Sequence, residues 1–443
     1  MRIEEGALFI LETLESHGFE AYVVGGCVRD SLLGKTPQDW DICTNALPDD
    51  VKRCTAPLPV IETGIQHGTV TVIYHHMSYE VTTYRTEGSY SDNRRPDYVK
   101  FVRELKEDLS RRDFTINAMA YHPKRGLADY FGGKEDLQNG IIRCVGNAEV
   151  RFDEDGLRIM RALRFASVYG FETESQTAQA ILEKKEHLCR IAAERIQVEL
   201  RKLLSGKGAD NILTRYREVF EVIIPEIHAM AGFAQNNPHH VFDVWTHTVK
   251  SIVAVPPNEI LRLTMLLHDI GKPLCYTEDE SGTGHFYNHA EESARLARMI
   301  LNRLRFEKET IRAVTELVQY HGLDIPANTR CVKRWMNRLG AEQFRRLTEV
   351  WRADILAQAP QFQSEKLEKI QQITVCMQTV LEQGQCFRRK DLAVNGRDLI
   401  EIGIPPGKQV GAVLDFLMES VLEERAENSR EELLRLAREK MDE

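Results

Sequence analysis

Near residue 150 the hydrophobic rhythm of this 443-residue chain changes, and nothing else in it restricts the fold as much. Before that point short apolar runs alternate with helix-length segments. Residues 1–20 carry a helical period ending at His17-Gly18, and Tyr22-Val23-Val24 is a short strand stopped by Gly25-Gly26. A helix is expected over about 27–33 and a second strand over 39–43. Residues 70–74 and 80–84 alternate at period two around the polar turn His75-His76-Met77-Ser78, a hairpin signal. Residues 88–98 are polar and rich in turn formers, so a loop is expected there. Segments 108–121 and 127–145 complete a mixed α/β region. Beyond 150 strand signals nearly vanish and helical periodicity runs to the end, broken at turn-forming glycines, asparagines and prolines. The pattern predicts a small α/β head followed by a long all-helical body.

Composition excludes some classes. Hydrophobic residues make up 42% of the chain, ample for packed cores. No apolar run reaches the roughly 18 residues that a membrane helix needs. The first residues put two glutamates ahead of a helical period, unlike the basic start of a signal peptide, so a cytoplasmic protein is expected. Nine scattered cysteines without a CxxC pair suit free thiols in a reducing compartment. The formal charge of −9 argues mildly against nucleic acid, but binding depends on where the basic residues sit. Here they cluster at Arg94-Arg95, at Arg111-Arg112, at Arg158, Arg161 and Arg164, and at Arg195, Arg201 and Lys202.

Asp39 and Asp41 stand two apart on the expected strand, so their carboxylates share a face. Side by side they repel unless a cation lies between them. Glu80, on a separate strand, can supply a third oxygen. Such ligands suit Mg²⁺, which is held by few protein groups plus substrate phosphates. A bare DxD is more often a pair of solvent-facing acids. Context raises its value: Gly25-Gly26 opens a helix carrying Arg29 and Asp30, and glycines before a helix start let backbone N–H groups approach a phosphate.

The stretches VVGGCVRDSLLG, PQDWDICTNALPDDV, EVTTYRTEG, DNRRPDYVKFV, DLSRRDFTINAMAY, DYFGGKEDL, RFDEDGLRIMRALRFA and AAERIQVELRKLL follow one another over residues 20–205. In that order they resemble the class II tRNA nucleotidyltransferase/poly(A) polymerase family, whose CCA-adding members belong to the DNA polymerase β-like superfamily. The resemblance implies an α+β fold: a polymerase β-like head with a mixed sheet, then a long all-α body. It gives Asp39 and Asp41 the catalytic Mg²⁺ ions with Glu80 as third carboxylate, and gives Gly25, Gly26 and Arg29 the incoming triphosphate. Asp113 and Asn117 would sit near the sugar or triphosphate, although Asn117 could equally be a helix cap. Arg161 and Arg164 join the nucleotide-binding candidates.

A helix expected from about Asp153 carries Glu154, Asp155 and Arg158. An N-cap at Asp153 and an ion pair three residues apart would explain these residues structurally. The resemblance gives them a sharper task, as a protein template for the base. Cytosine and adenine each present an amino donor beside a ring-nitrogen acceptor, and guanine and uracil present the reverse. Aspartate only accepts and arginine only donates, so Asp155 and Arg158 match the first pair. Arg112 would orient them or stack nearby. The loop 88–98, with Arg94-Arg95, is the candidate lever for switching from C to A. Family members that add only CC have a shortened or altered loop there, and this one looks complete.

Residues 239–290 hold His239, His240, His247, His268, Asp269, His285 and His289. LRLTMLLHDIGKP resembles the HD phosphohydrolase superfamily, with His247 upstream. A second divalent ion, a transition metal, is expected on His247, His268, Asp269 and a later aspartate, with Asp354 the first choice and Asp324 the second. An HD fold kept only as a helical scaffold is the competing expectation. The tail LAVNGRDLIEIGIPPGKQVGAVLDFL resembles the family's C-terminal segment.

The expected division is 1–150 nucleotidyltransferase head, 151–235 neck with base selection, 236–360 HD-type helices, and 361–443 a helical tail that binds tRNA. The expected partners are tRNA, CTP and ATP, with no membrane and no protein partner implied. Alternatives are a poly(A) polymerase, a CC-only or A-only enzyme, or an HD phosphohydrolase whose head binds RNA.

Overall fold

The computed structural model describes residues 1–88 and 98–442. Its chain falls into two compact units, 1–228 and 229–443.

The first unit opens with α1 (Glu5–Ser16), whose Ile10, Leu11 and Leu14 are buried. Next come β1 (Ala21–Val24), α2 (Gly26–Leu32), β2 (Ile42–Thr44), α3 (Pro48–Thr55), β3 (Val60–Gly64), β4 (Thr69–Tyr74) and β5 (Met77–Thr83). Then follow β6 (Arg85–Glu87), β7 (Val99–Phe101), α4 (Leu105–Ser110), β8 (Met119–His122), β9 (Gly126–Asp129) and α5 (Gly133–Asn139). The main sheet has seven strands in the order β3-β4-β5-β2-β1-β8-β9. Its neighbours pair antiparallel except β2 and β5, which run parallel with Ile42 opposite Val81. Tyr22, Val24, Cys43, Tyr84 and Ala120 form one apolar cluster with Leu105 and Leu109 of α4. Burying this surface is what fixes the strand register, since a one-residue slip would turn every side chain over.

The hairpin β4–β5 turns on two residues rather than four. His75 and His76 both have positive φ (46° and 65°), as a tight hairpin matched to strand twist requires. The second strand starts at Ile42, so Asp39 and Asp41 precede it instead of lying on it. The proposed lever loop, with Arg94 and Arg95, falls outside the described residues over 89–97.

From residue 148 the first unit is largely helical: α6 (Ala148–Glu154), α7 (Leu157–Tyr169), α8 (Ser175–Glu183), α9 (Ala193–Leu204), α10 (Ala209–Arg215) and α11 (Arg217–Ile223). The helix expected from Asp153 is two helices. Asn147, not Asp153, caps the first, its side chain accepting from the Val150 N–H at 3.1 Å. The chain breaks at Asp155, which is extended (φ −140°, ψ 104°). A Cβ at Gly156 would come within 2.9 Å of the His187 Cβ, so the break is packed tightly.

The second unit contains α12 (Val244–Ala254), α13 (Glu259–Leu267), α14 (His289–Arg303), α15 (Lys308–Tyr320), α16 (Thr329–Leu339), α17 (Ala341–Leu356), α18 (Gln363–Glu382), α19 (Gly396–Glu401), α20 (Lys408–Leu422) and α21 (Arg430–Asp442). α13 buries every residue from Leu261 to Leu267, as a helix packed on all sides must. It packs on α12, α14, α15 and α17. No helix among the described residues is long and apolar enough to cross a membrane, and all nine cysteines are free.

Candidate functional site

At the centre of the main sheet, β1 ends on Val24 and the chain turns at Gly25 into α2. Gly25 has φ 79°, and a Cβ there would lie 2.8 Å from an Arg112 Nη1, so only glycine fits. The neighbouring strand end carries the acids. The Val24 N–H donates to the Asp41 carbonyl at 2.9 Å, which keeps the segment before β2 beside β1. Trp40 is buried while Asp39 and Asp41 on either side are exposed, the alternation of an extended chain. Extending the parallel pairing of Ile42 with Val81 by one residue brings Asp41 beside Glu80. Desolvation raises the pKa of Asp41. The Arg112 guanidinium opposes the shift, and Glu80 and Asp39 add to it. The three carboxylates thus feel one another, although their oxygens do not converge within 4.8 Å as those of the histidine region do.

Behind this edge a chain of charged groups runs from α2 to the neck. Arg29 is buried against the rings of Phe165 and Tyr169 and donates to Asp30 at 2.9 Å and to the Asn117 Oδ1 at 2.6 Å. Asn117 donates onward to Asp113 at 3.1 Å, and Arg161 donates twice to the other Asp113 oxygen, at 2.9 and 2.6 Å. Asn117 therefore links two charged residues and caps no helix. Burial acts to raise the Asp113 pKa, but Arg161 and the Asn117 amide outweigh it and hold the carboxyl at about 2. Glu199 of α9 closes the network, 2.7 Å from Arg164 and 3.9 Å from Arg161. Glu199 was not among the expected site residues. Its signal is the acid in VELRKLL, which a helical wheel puts beside the buried Ile196 and Leu203.

Asp155 and Arg158 do not pair with each other. The break in the helix turns Asp155 toward α9, where Arg195 donates to its Oδ2 at 2.9 Å, and its Oδ1 accepts the Leu157 N–H at 3.0 Å. Arg158 is buried, pairs with Glu154, and donates to the carbonyls of Arg151 (3.1 Å) and Arg111 (3.3 Å). Arg112 does not orient this pair. It lies against Gly25 and 3.8 Å from Asp108, and Arg111 is the residue whose backbone meets Arg158.

In the second unit, α13 and its neighbours gather a second constellation. One ligand atom from each of His247, His268, Asp269 and Asp354 lies within 4.8 Å of the others, and Asp269, His289 and His321 form a second such group. His247 Nε2 is 2.9 Å from Asp354 and 3.4 Å from Asp269, and His268 Nε2 is 3.2 Å from Asp269. Burial acts against a charged His268, but Asp269 and Asp354 hold its pKa up at about 10. Asp269 is lowered well below the carboxylate range by His268 and Lys272 despite its burial. Asp324 is not part of the cluster; it is exposed and pairs with Lys369. Of the other histidines, His240 lines the cavity at the cluster, and His285 pairs with Asp279 at 2.8 Å. A cavity of about 600 Å³ opens onto the cluster, with Lys366 and Lys369 in its wall.

Comparison with known proteins agrees along the chain. The model described as "Poly A polymerase head domain" matches residues 21–143. "Probable RNA and SrmB- binding site of polymerase A" matches 170–230, and tRNA nucleotidyltransferase domain 2 matches 285–437. A protein of Ligilactobacillus salivarius named CCA-adding enzyme is 34% identical over 449 residues, covering 99% of this chain and 96% of that one. Its namesake from Lactiplantibacillus plantarum is 54% identical over 209 residues, or 46% of this chain, and the match spans about half (51%) of that relative's length. The crystal structure of the Bacillus stearothermophilus CCA-adding enzyme in complex with CTP superposes with a TM-score of 0.69 at 30% identity, covering 98% of this chain and 97% of that one.

Proposed function

We propose, on the premise that the chain belongs to the CCA-adding enzyme family, that it adds C, C and A in turn to the 3′ end of tRNA from CTP and ATP. The reading is carried by the strand-end edge where Asp39, Asp41 and Glu80 perturb one another beside the Gly25 turn and Arg29. Those acids fit divalent ions: their mutual repulsion and the raised pKa of Asp41 are what a bound cation relieves. Bound Mg²⁺ ions there would activate the tRNA hydroxyl and stabilise the leaving pyrophosphate. Arg29 and Arg112 supply positive charge to the triphosphate from either side of the glycine turn. Asp113, itself ionised, keeps Arg161 and Asn117 oriented toward the pocket.

Base choice follows from polarity. A carboxylate accepts up to about four hydrogen bonds, so Asp155 keeps acceptor capacity beyond Leu157 and Arg195 for an exocyclic amino group. Arg158, aligned by Glu154, donates to the ring nitrogen. Uracil or guanine would set acceptor against acceptor and donor against donor in a desolvated site, a mismatch of several kcal/mol in such pockets. The test is extension of tRNA ending before the CCA, resolved on a gel. The expected product is C, C, A and then arrest. A long adenosine ladder supports a poly(A) polymerase instead, and equal label from UTP or GTP overturns the Asp155/Arg158 template.

The histidine cavity favours a second activity in the other unit, metal-dependent hydrolysis of phosphate esters. The donor set of imidazoles and carboxylates suits a transition metal. Both oxygens of buried Asp269 satisfy no hydrogen bond, as expected of ligands awaiting an ion. Metal content after chelation and re-addition, with His268→Ala as control, tests this directly.

A further inference from the structure

Asp269 faces two ways. Its Oδ2 lies 3.4 Å from His247 Nε2, 3.2 Å from His268 Nε2 and 2.7 Å from the Lys272 ammonium. Its Oδ1 lies 3.6 Å from His289 Nε2 and 3.4 Å from His321 Nε2. The carboxylate is fully buried, and the two sets of imidazoles come from different helices packed around α13.

The four rings are locked in the same tautomer. Backbone carbonyls only accept, and each Nδ1 meets one: His247 the Ala357 carbonyl at 3.2 Å, His268 that of Met265 at 2.8 Å, His289 that of Phe286 at 2.7 Å, and His321 that of Val318 at 2.6 Å. The hydrogen of each neutral ring therefore sits on Nδ1, and each Nε2 presents a lone pair toward Asp269. This is the arrangement by which proteins fix histidine ligands from behind. It leaves His289 and His321 with Nε2 facing Nε2 at 3.1 Å, where two lone pairs repel and no hydrogen is available between them. A cation at that point satisfies both nitrogens and the Oδ1 that faces them.

We propose that Asp269 bridges two divalent transition-metal ions, one held with His247, His268 and Asp354 and the other with His289 and His321. The proposal rests on reading the histidine cavity as a metal centre and extends it to a second ion. Two nitrogens and one carboxylate oxygen form a set of intermediate softness, which suits Mn²⁺, Fe²⁺, Co²⁺ or Zn²⁺ better than Ca²⁺ or Mg²⁺. Three protein ligands leave further positions open toward the cavity, where an oxyanion could join both ions.

The experiment uses the full chain carrying Asp39→Asn and Asp41→Asn, so that the head acids do not contribute ions. The protein is stripped with chelator, reloaded with Mn²⁺ and desalted. Metal per chain is then counted by mass spectrometry, and the spin state is read by electron paramagnetic resonance. Two Mn²⁺ per chain with the spectrum of a coupled pair are expected. His289→Ala and His321→Ala should each bind one ion with the signal of an isolated Mn²⁺. His289 opens α14 with a side chain 22% exposed, so its replacement tests the site even if His321→Ala does not fold. One ion in the parent protein overturns the bridge while leaving the first site intact, and none overturns both. Two coupled ions persisting in both histidine variants overturn the assignment of the second site.

Discussion

Replacing Asp155 by asparagine preserves shape and reverses the hydrogen-bonding sense of one atom. In the parent chain Oδ1 takes the Leu157 N–H at 3.0 Å and Oδ2 takes Arg195 at 2.9 Å, both donors. Whichever way the amide turns, its NH₂ meets one of them, so Arg195 loses its partner or the turn at Gly156 loses its cap. The pair is partly shielded, with side-chain exposures of 15% for Asp155 and 26% for Arg195. Losing it should lower stability by about 1 kcal/mol, at the modest end for a charge-assisted bond. Selectivity suffers more, because the acceptor for the base's amino group becomes a group that can donate to the uracil carbonyl. Taking about 2 kcal/mol for a hydrogen bond to a charged group, preference for CTP over UTP should fall roughly 30-fold. The assay is single-turnover kcat/KM for each nucleotide on tRNA awaiting its first C, with a thermal melt to verify folding. An unchanged CTP/UTP ratio in a folded variant refutes the assignment of Asp155 to the base.

Asp41→Asn should abolish nucleotidyl transfer while sparing the fold. The folded-state pKa of Asp41 is raised, so its contribution to stability is present below the ordinary carboxylate range and lost as pH rises through the raised value. In chelator at neutral pH the variant should therefore melt above the parent, and the gap should close on acidification; Mg²⁺ should raise the melting temperature of the parent alone. Asp113 has the opposite sign. Held at about 2 against an ordinary 3.8, it contributes stability above the ordinary value that is lost as pH falls toward 2. Asp113→Asn should cost roughly 2 kcal/mol at pH 7 by denaturant melts, with the difference vanishing in strong acid.

The chemistry-bearing residues were legible where the chemistry is local. Gly25-Gly26, Asp39 and Asp41 announce themselves because a turn and a pair of alternating side chains are set by neighbours in sequence. His247, His268, Asp269 and Asp354 could be listed from the resemblance, although their convergence depends on how α12, α13 and α17 pack. What the sequence concealed depends on breaks and partners. Asp155 and Arg158 are spaced for one helix face, and a continuous helix would have paired them. The extended Asp155 and the packed Gly156 send one to Arg195 and the other to Glu154. His321 was passed over because Asp324, three residues on, looked like the ligand. Its sign was that, like His268, it directly follows an apolar helix and turns Nδ1 back onto the carbonyl three residues earlier.

The run Arg29–Asn117–Asp113–Arg161–Glu199–Arg164 strings four charges of one sign and two of the other through a single buried line. Its members lie in stretches of chain far apart in sequence, yet none can change alone without stranding a neighbour. Among descendants of this gene, substitutions at positions 113, 161, 164 and 199 should appear together or not at all. Engineering that grafts a foreign neck helix onto this head would need to bring a matching acid at 199 with it.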